Sequence, residues 1–380
     1  MIGNNKPYLI AILLIGLAAC ASTPDEVAPV LDLVGDVELQ RAFLEPPENR
    51  QLEIAVLVFT AAPVDPATAQ VSPWLNEEIR AKETQYLPYV LRNTLVESNQ
   101  WGPVRVLPEE DPSVDLTISA EITSSDGLQL VLQLHAEDAT GRVWLDRQYA
   151  DETENRDFPI TRTTARYSVE DALPEADPFT DIYARIANDL LAVRESLDDA
   201  ELDNLYLVAQ MRYAADLSPQ TFGDTLAQNA DGRWEVTRLL DATDPMLGRV
   251  GDMKLRHHLF IDTVDEYYAS LYDEMQPPYD LWRRYSREQI LESRERPDTD
   301  SSGSRNFRAL SQSYDRYRWA KIFDQEFADL ALGFNNEVAP AILELNRRVH
   351  GLSGTLEEQY EQWRDILRQL FELEAFGDTQ

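Results

Sequence analysis

Two adjacent histidines and the acidic residues that follow them form the arrangement best suited to metal chemistry. On a helix, His258, Asp262 and Asp265 would stand at positions i, i+4 and i+7, so their side chains would share one face. An imidazole with two carboxylates suits a transition metal. However, the chain has 68 acidic residues, so such neighbours arise readily by chance, and no HExxH pattern is present. We favour a salt-bridged or partly buried pair, His257 and His258, and predict no metal site.

Other patterns that resemble catalytic or cation-binding motifs fail at the decisive position. Residues 298–303 begin like an EF-hand loop, but position 12, which should be a bidentate Glu, is Ala309. Residues 351–354 read Gly-Leu-Ser-Gly, whereas a nucleophile elbow needs one residue between the serine and the second glycine, as in Gly-x-Ser-x-Gly. Pairs of carboxylates able to cleave a sugar bond are uninformative in so acidic a chain. No catalytic residue and no cofactor is therefore predicted.

A group of aromatic and basic residues is the most suggestive candidate surface for a partner or a glycan. Tyr, Trp and Arg are the side chains enriched in binding hot spots, and they also line sugar-binding grooves. Because several of them recur at helical spacing, a position half in the core is the alternative. The candidates are Tyr279, Trp282, Arg283, Tyr285 and Trp319.

The charge balance limits the classes of partner. With 68 acidic and 34 basic residues the formal net charge is −34, so the overall field opposes nucleic acids and anionic lipid surfaces. The only cysteine is Cys20. If its thiol is modified, the fold has no disulfide and no thiolate ligand and must depend on core packing.

The first 20 residues have the organisation of a bacterial export signal. Lys6 precedes an apolar run over residues 8–17, which is shorter than the roughly 20 residues that span a bilayer. The run ends in Leu17-Ala18-Ala19-Cys20, which resembles the lipobox of bacterial lipoproteins. This resemblance implies cleavage before Cys20 and lipidation there. In Gram-negative families the following Ala21, rather than Asp, favours the outer membrane. An ordinary secretory leader or a buried helix is the alternative.

After a predicted signal peptide (1–19) and a proline-containing flexible tether (20–51), residues 52–150 predict a small α/β domain. Leu52 to Phe59 is an apolar strand, a helix extends from about Leu75 to Ser98, and residues 104–107 form a second strand. Apolar and polar residues then alternate from residue 115, with turn residues at 124–127 and 139–141. The order is therefore β-α-β followed by an antiparallel meander.

This order and the hairpin over residues 136–144 resemble the small α/β domains of envelope lipoproteins. Such domains occur in curli-secretion proteins, in TolB N-terminal-like proteins and in lipoprotein activators of peptidoglycan synthases. The resemblance extends over about 100 residues and depends on pattern rather than on a specific motif. It implies a module that binds other proteins or assembles, without an active site.

Residues 177–376 predict a mainly α-helical domain. Helices are expected near residues 178–190, 199–216, 244–275, 279–296 and 306–334, with Pro277-Pro278 separating two of them. Thr355 and Glu358 match a capping box that begins a last helix. Blocks such as Gln100-Trp101-Gly102 resemble proteobacterial lipoproteins of uncharacterised function. With a small α/β domain followed by a mainly helical one, the predicted fold class is α+β.

The sequence predicts a lipid-anchored outer-membrane protein that faces the periplasm and acts as a non-enzymatic binding or assembly factor. Its expected contacts are the membrane, through the N-terminal lipid, and an envelope protein, with peptidoglycan as a further option and nucleic acid excluded. The alternative is an envelope enzyme that processes peptidoglycan or another polysaccharide.

Overall fold

The chain folds as an α+β protein with a mixed sheet and a set of helices packed against it. The computed structural model describes residues 32–63, 73–154, 157, 177–238, 240–241, 244–294, 342–345 and 348–376. The strands are β1 (Ile54–Leu57), β2 (Thr60–Ala61), β3 (Val104–Leu107), β4 (Leu116–Ser125), β5 (Gln129–Asp138), β6 (Val143–Glu152), β7 (Leu226–Gln228), β8 (Trp234–Val236), β9 (Ile342–Leu345) and β10 (Arg348–Gly351). The helices are α1 (Pro73–Glu97), α2 (Thr180–Ser196), α3 (Asp199–Leu217), α4 (Pro219–Phe222), α5 (Pro245–Arg294) and α6 (Leu356–Phe376).

The main sheet has the strand order β3-β1-β4-β5-β6, with β2 paired to β4. Strand β1 lies parallel to both β3 and β4, whereas β4, β5 and β6 form an antiparallel meander. The predicted β-α-β unit followed by a meander is therefore confirmed. Two further short hairpins are β7–β8 and β9–β10.

Alternation along the meander separates an apolar face of the sheet from a polar one. Ile118 pairs with Ala136, and Ile122 pairs with Leu132, and all four are buried. The alternate residues on the other face, such as Glu121 and Gln133, are polar and more exposed, as expected for a sheet with one solvated face. Helices α1 and α2 contact this sheet, α1 over β1 and β3 and α2 over β6.

Helix α5 corrects the prediction that Pro277-Pro278 separates two helices. It continues through both prolines, which lack the backbone N–H that a helix interior normally uses. The side chain of Pro277 is exposed, while the next turn buries Tyr279 and Trp282 in the core. Burial of these large rings offsets the lost hydrogen bonds. No helix among the described residues is both long and apolar enough to cross a bilayer.

The segment before β1 also departs from its prediction. Leu33 forms a parallel bridge with Ala150 on β6, and Val34 N–H donates to the Ala150 carbonyl at 2.8 Å. Further along, Val37 N–H donates to Asp181, and Ala42 N–H donates to the carbonyl of Ser98, the residue after α1. The flexible tether predicted for residues 20–51 therefore does not hold for residues 32–51. Residues 20–31 lie outside the described residues.

One hydrophobic core joins the regions predicted as separate domains, residues 52–150 and 177–376. Buried residues of the strands, of α1, and of α2, α3, α5 and α6 belong to a single cluster. The α5 and α6 helices contact each other through Phe260 and Trp363, whose rings lie 5.2 Å apart. The boundary at residues 151–176 therefore does not separate two cores.

The turn between β4 and β5 meets helix α5 at a residue that must be small. Gly127 N–H donates to Ser286 Oγ at 3.0 Å. A Cβ atom at Gly127 would lie 2.3 Å from the Arg283 carbonyl oxygen and 2.1 Å from the Arg287 nitrogen. Both atoms belong to helix backbone, which cannot move aside cheaply.

We expect Gly127→Ala to destabilise the fold by about 1–3 kcal/mol, the usual cost of overpacking a close contact. Gly251→Ala is the matched control, because Gly251 is exposed on α5 and its Cβ would meet nothing within 4 Å. There alanine should stabilise the helix by up to about 1 kcal/mol. Urea unfolding of both variants measures the difference, and equal effects at the two positions would contradict the close packing of the turn.

Candidate functional site

The three candidate metal ligands on α5 do not converge on one point. The Asp262 carboxylate accepts from Arg105 Nε at 2.6 Å, and Asp265 accepts from Arg92 at 2.7 Å. His258 instead lies 3.3 Å from a serine hydroxyl in the loop before β4. No group of three or more potential ligands that could hold a metal occurs among the described residues.

Asp262 and Asp265 instead cover the exposed edge of the sheet. Strand β3 is the last strand on its side, so its outward backbone groups need other partners. Asp265 Oδ1 accepts from Val106 N–H at 2.8 Å, and Asp262 pairs with Arg105 on the same strand. These carboxylates therefore attach α5 to the sheet edge.

The candidate contact residues Tyr279, Trp282 and Arg283 are buried, so they do not form the exposed surface that the sequence predicts. The Arg283 guanidinium lies 4.6 Å from the Phe179 ring centre, 4.9 Å from Tyr279 and 5.1 Å from Trp282. Cations are attracted to aromatic faces at such distances. The side chain of Tyr285, together with Trp319 and Cys20, lies outside the described residues.

Glu83 of α1 is the charge partner of Arg283, whose guanidinium lies among these aromatic rings. Its Oε1 atom accepts from Ser125 Oγ at 2.5 Å, from the Tyr279 hydroxyl at 2.8 Å and from Arg283 at 3.2 Å. Both charged side chains are fully buried. Burial alone would lower the pKa of Arg283, but the surrounding Tyr279 and Glu83 outweigh it and raise that pKa. The guanidinium therefore stays charged.

A second buried cluster, centred on Asp111, joins the loop before β4 to α5 and α6. Asp111 lies 2.5 Å from His257 Nε2 and also accepts from the Tyr360 hydroxyl. Burial favours the neutral acid, but His257, Ser113 and Tyr360 outweigh it and hold the pKa of Asp111 well below its usual range. His257 is thus buried beside a carboxylate.

The Asp111 cluster does not form a catalytic triad. A triad needs a nucleophile on the free nitrogen of the histidine, but His257 Nδ1 is buried without a hydrogen-bond partner among the described residues. The nearby Ser113 contacts His258 instead. Sequence spacing could not reveal this cluster, because Asp111 and His257 are 146 positions apart.

Beside it lies a carboxyl group whose ionisation is opposed by its surroundings. Asp115 accepts from Glu53 N–H at 2.8 Å, and its other oxygen is buried without a partner among the described residues. Burial, together with the charge of Glu53, raises the pKa of Asp115 to about 7. Burial likewise lowers the pKa of His258 to about 4. Both groups therefore favour their neutral forms in the fold.

A polar cleft of about 360 Å³ lies at the opposite end of β5 from Arg283. It lies between the β5–β6 turn, the start of α3 and the β7–β8 hairpin. The sequence offered no motif for it, because its lining comes from three separate segments. The residues that line it include Arg142, Glu201, Asn204, Arg233 and Trp234.

The comparisons with known proteins add no functional information. No protein-family model matches the chain, and no curated protein matches it. Among solved structures, the chain is similar to the 1.65 Å structure of the hypothetical protein CT253 from Chlamydia trachomatis. The match has 12% identity and a TM-score of 0.23, and covers 40% of this chain and 98% of that one. A likeness at this level supports no argument about function.

Asp115→Asn should change how stability depends on pH. Since the folded pKa of Asp115, about 7, exceeds the value of about 3.9 expected for an unfolded chain, the folded state binds more protons between these values. The free energy of unfolding of the wild type therefore loses a contribution as pH rises from 4 to 7. The variant avoids this loss and should gain on the order of 4 kcal/mol relative to the wild type across that window.

The measurement is urea unfolding at pH 4, 5.5 and 7, with the wild type compared at each pH so that the opposite contribution of His258 cancels. Asp203→Asn, an exposed acid on α3, is the control and should show a constant difference. A constant difference for Asp115→Asn as well would refute the raised pKa.

Proposed function

We propose that this protein is a lipid-anchored, non-enzymatic binding protein of the cell envelope, held at the outer membrane and facing the periplasm. The observation that carries the proposal is the pattern Leu17-Ala18-Ala19-Cys20 behind a short apolar run. An attached lipid would hold the body at the membrane without a spanning helix. The expected partner is another envelope protein, with peptidoglycan as a further ligand.

The described chemistry of the body supports binding more than catalysis. The polar clusters around Glu83 and Asp111 are buried and use their hydrogen-bonding groups to join helices to the sheet. Buried groups of this kind have no access to a substrate. What the described surface offers is an open cleft and the polar face of an antiparallel meander, features through which proteins contact ligands and partners.

The alternative of a polysaccharide-processing enzyme requires two carboxylates free to flank a sugar bond. In the cleft, Asp198 and Glu201 are already engaged with each other's backbone in the capping box of α3, at 2.8 and 3.1 Å. Glu201 also pairs with Arg142 at 2.9 Å. Such carboxylates are fixed as acceptors, and this favours binding over cleavage.

The anchor is tested by feeding cells labelled palmitate and separating inner from outer membranes. The wild type should carry the label and sediment with the outer membrane, because Cys20 supplies the thiol and amine that are acylated. Cys20→Ala should carry no label and leave that fraction, whereas Ser22→Ala, two positions along, should behave as the wild type. An unlabelled wild type, or a labelled Cys20→Ala, would exclude the lipoprotein assignment.

A further inference from the structure

We propose that the cleft between the β5–β6 turn, the start of α3 and the β7–β8 hairpin binds a neutral carbohydrate. Its volume of about 360 Å³ lies near the small end of ligand pockets, which hold about 300–1,000 Å³. That space suits a short stretch of sugar rings rather than a folded partner. The inference rests on the proposed binding function and names a ligand class for it.

The walls of the cleft are built before any ligand arrives. Trp234 N–H donates to the Thr140 carbonyl at 2.8 Å, which fixes the β7–β8 hairpin to the β5–β6 turn. Within that turn, Asp138 accepts from Thr140 N–H at 2.9 Å and from the Trp144 indole at 2.8 Å. On the facing side, the capping box holds the first turn of α3. A preformed site avoids the entropy cost of ordering loops on binding.

The hydrogen-bonding groups of the cleft suit a ligand that both donates and accepts. Four carboxylates line it. Asp138 is buried and its oxygens already accept four hydrogen bonds within the protein. Asp198, Glu201 and Glu235 also accept hydrogen bonds but keep lone pairs to spare. Two lining side chains, Asn204 and Arg233, make no side-chain hydrogen bond among the described residues and are exposed. These supply donors, and the amide also accepts. Sugar hydroxyls can pair with both kinds of group.

The charge of the lining disfavours anionic ligands. An anion would approach four carboxylates, which outnumber the guanidinium groups of Arg142 and Arg233. It would have to shed water next to like charge, which is costly in a partly enclosed site. A neutral hydroxyl-rich ligand avoids this penalty.

Trp234 provides the apolar surface that a sugar ring needs. Trp234 lines the cleft and is only half-buried, unlike Trp101 and Trp144 in the core. Tryptophan combines a large flat apolar face with a polar edge, and the C–H face of a pyranose can pack on it while the hydroxyls reach the polar rim. The arrangement of one aromatic face among polar side chains thus points to a carbohydrate.

The test is calorimetric titration of the full Cys20→Ala chain in mild detergent with two neutral probes, chitotetraose and cellotetraose. At least one should bind saturably, and Trp234→Ala should weaken that binding at least tenfold. Arg233→Ala, at an exposed position that leaves the fold intact, should weaken it several-fold. Arg238→Ala is the matched control, because it removes the same charge from an exposed position outside the cleft.

The proposal is overturned if neither oligosaccharide binds, or if Trp234→Ala and Arg233→Ala bind as tightly as Arg238→Ala. A Lys-Glu dipeptide that binds in the cleft when both sugars fail would likewise replace the carbohydrate assignment. The titrated Cys20→Ala chain cannot be lipidated, so the titration is independent of the anchor. The titration can therefore fail while the palmitate experiment succeeds, or succeed while the palmitate experiment fails. Shortening of the bound oligosaccharide would support the ligand class while contradicting a non-enzymatic function.

Discussion

The buried ion pair between Glu83 and Arg283 determines how the long helix lies on the sheet. Removing two charges from water costs several kcal/mol per ion unless geometry and further hydrogen bonds compensate. Here Ser125 and Tyr279 complete the shell around Glu83, and aromatic rings surround Arg283. Because neither charge can be buried without the other, α1, the β4–β5 turn and α5 are held in one arrangement.

The position of α5 in turn accounts for most of the polar chemistry in the chain. The C-terminal part of the helix lies beside the β4–β5 turn. Towards its N-terminus the helix crosses β3, where Asp265 accepts from an N–H at the sheet edge. About two turns earlier, His257 contacts Asp111. Residues that look functional in the sequence are thus used to attach one helix to the sheet and to α6. The open cleft lies at the other end of β5 from the Glu83–Arg283 pair, where polar groups remain accessible to a ligand.

The elements that could be predicted are those specified by local patterns. Alternation over β4 and β5, and the capping box at Thr355 and Glu358, which forms at 2.9 and 3.3 Å, are properties of neighbouring residues. The errors arose where distant residues decide. Pro277-Pro278 does not end α5, because the core contacts of Tyr279 lie beyond it. Arg283 belongs to the core because Glu83, 200 positions away, neutralises it, and no sequence window contains both.

A double-mutant cycle on Glu83→Gln and Arg283→Met tests most directly whether the buried pair, rather than a ligand, explains these residues. Each single change should cost about 3–5 kcal/mol in urea unfolding, because it leaves one buried charge unpaired. The double variant should cost much less than the sum of the two. Small single costs that simply add would show that the pair does not hold α5 on the sheet.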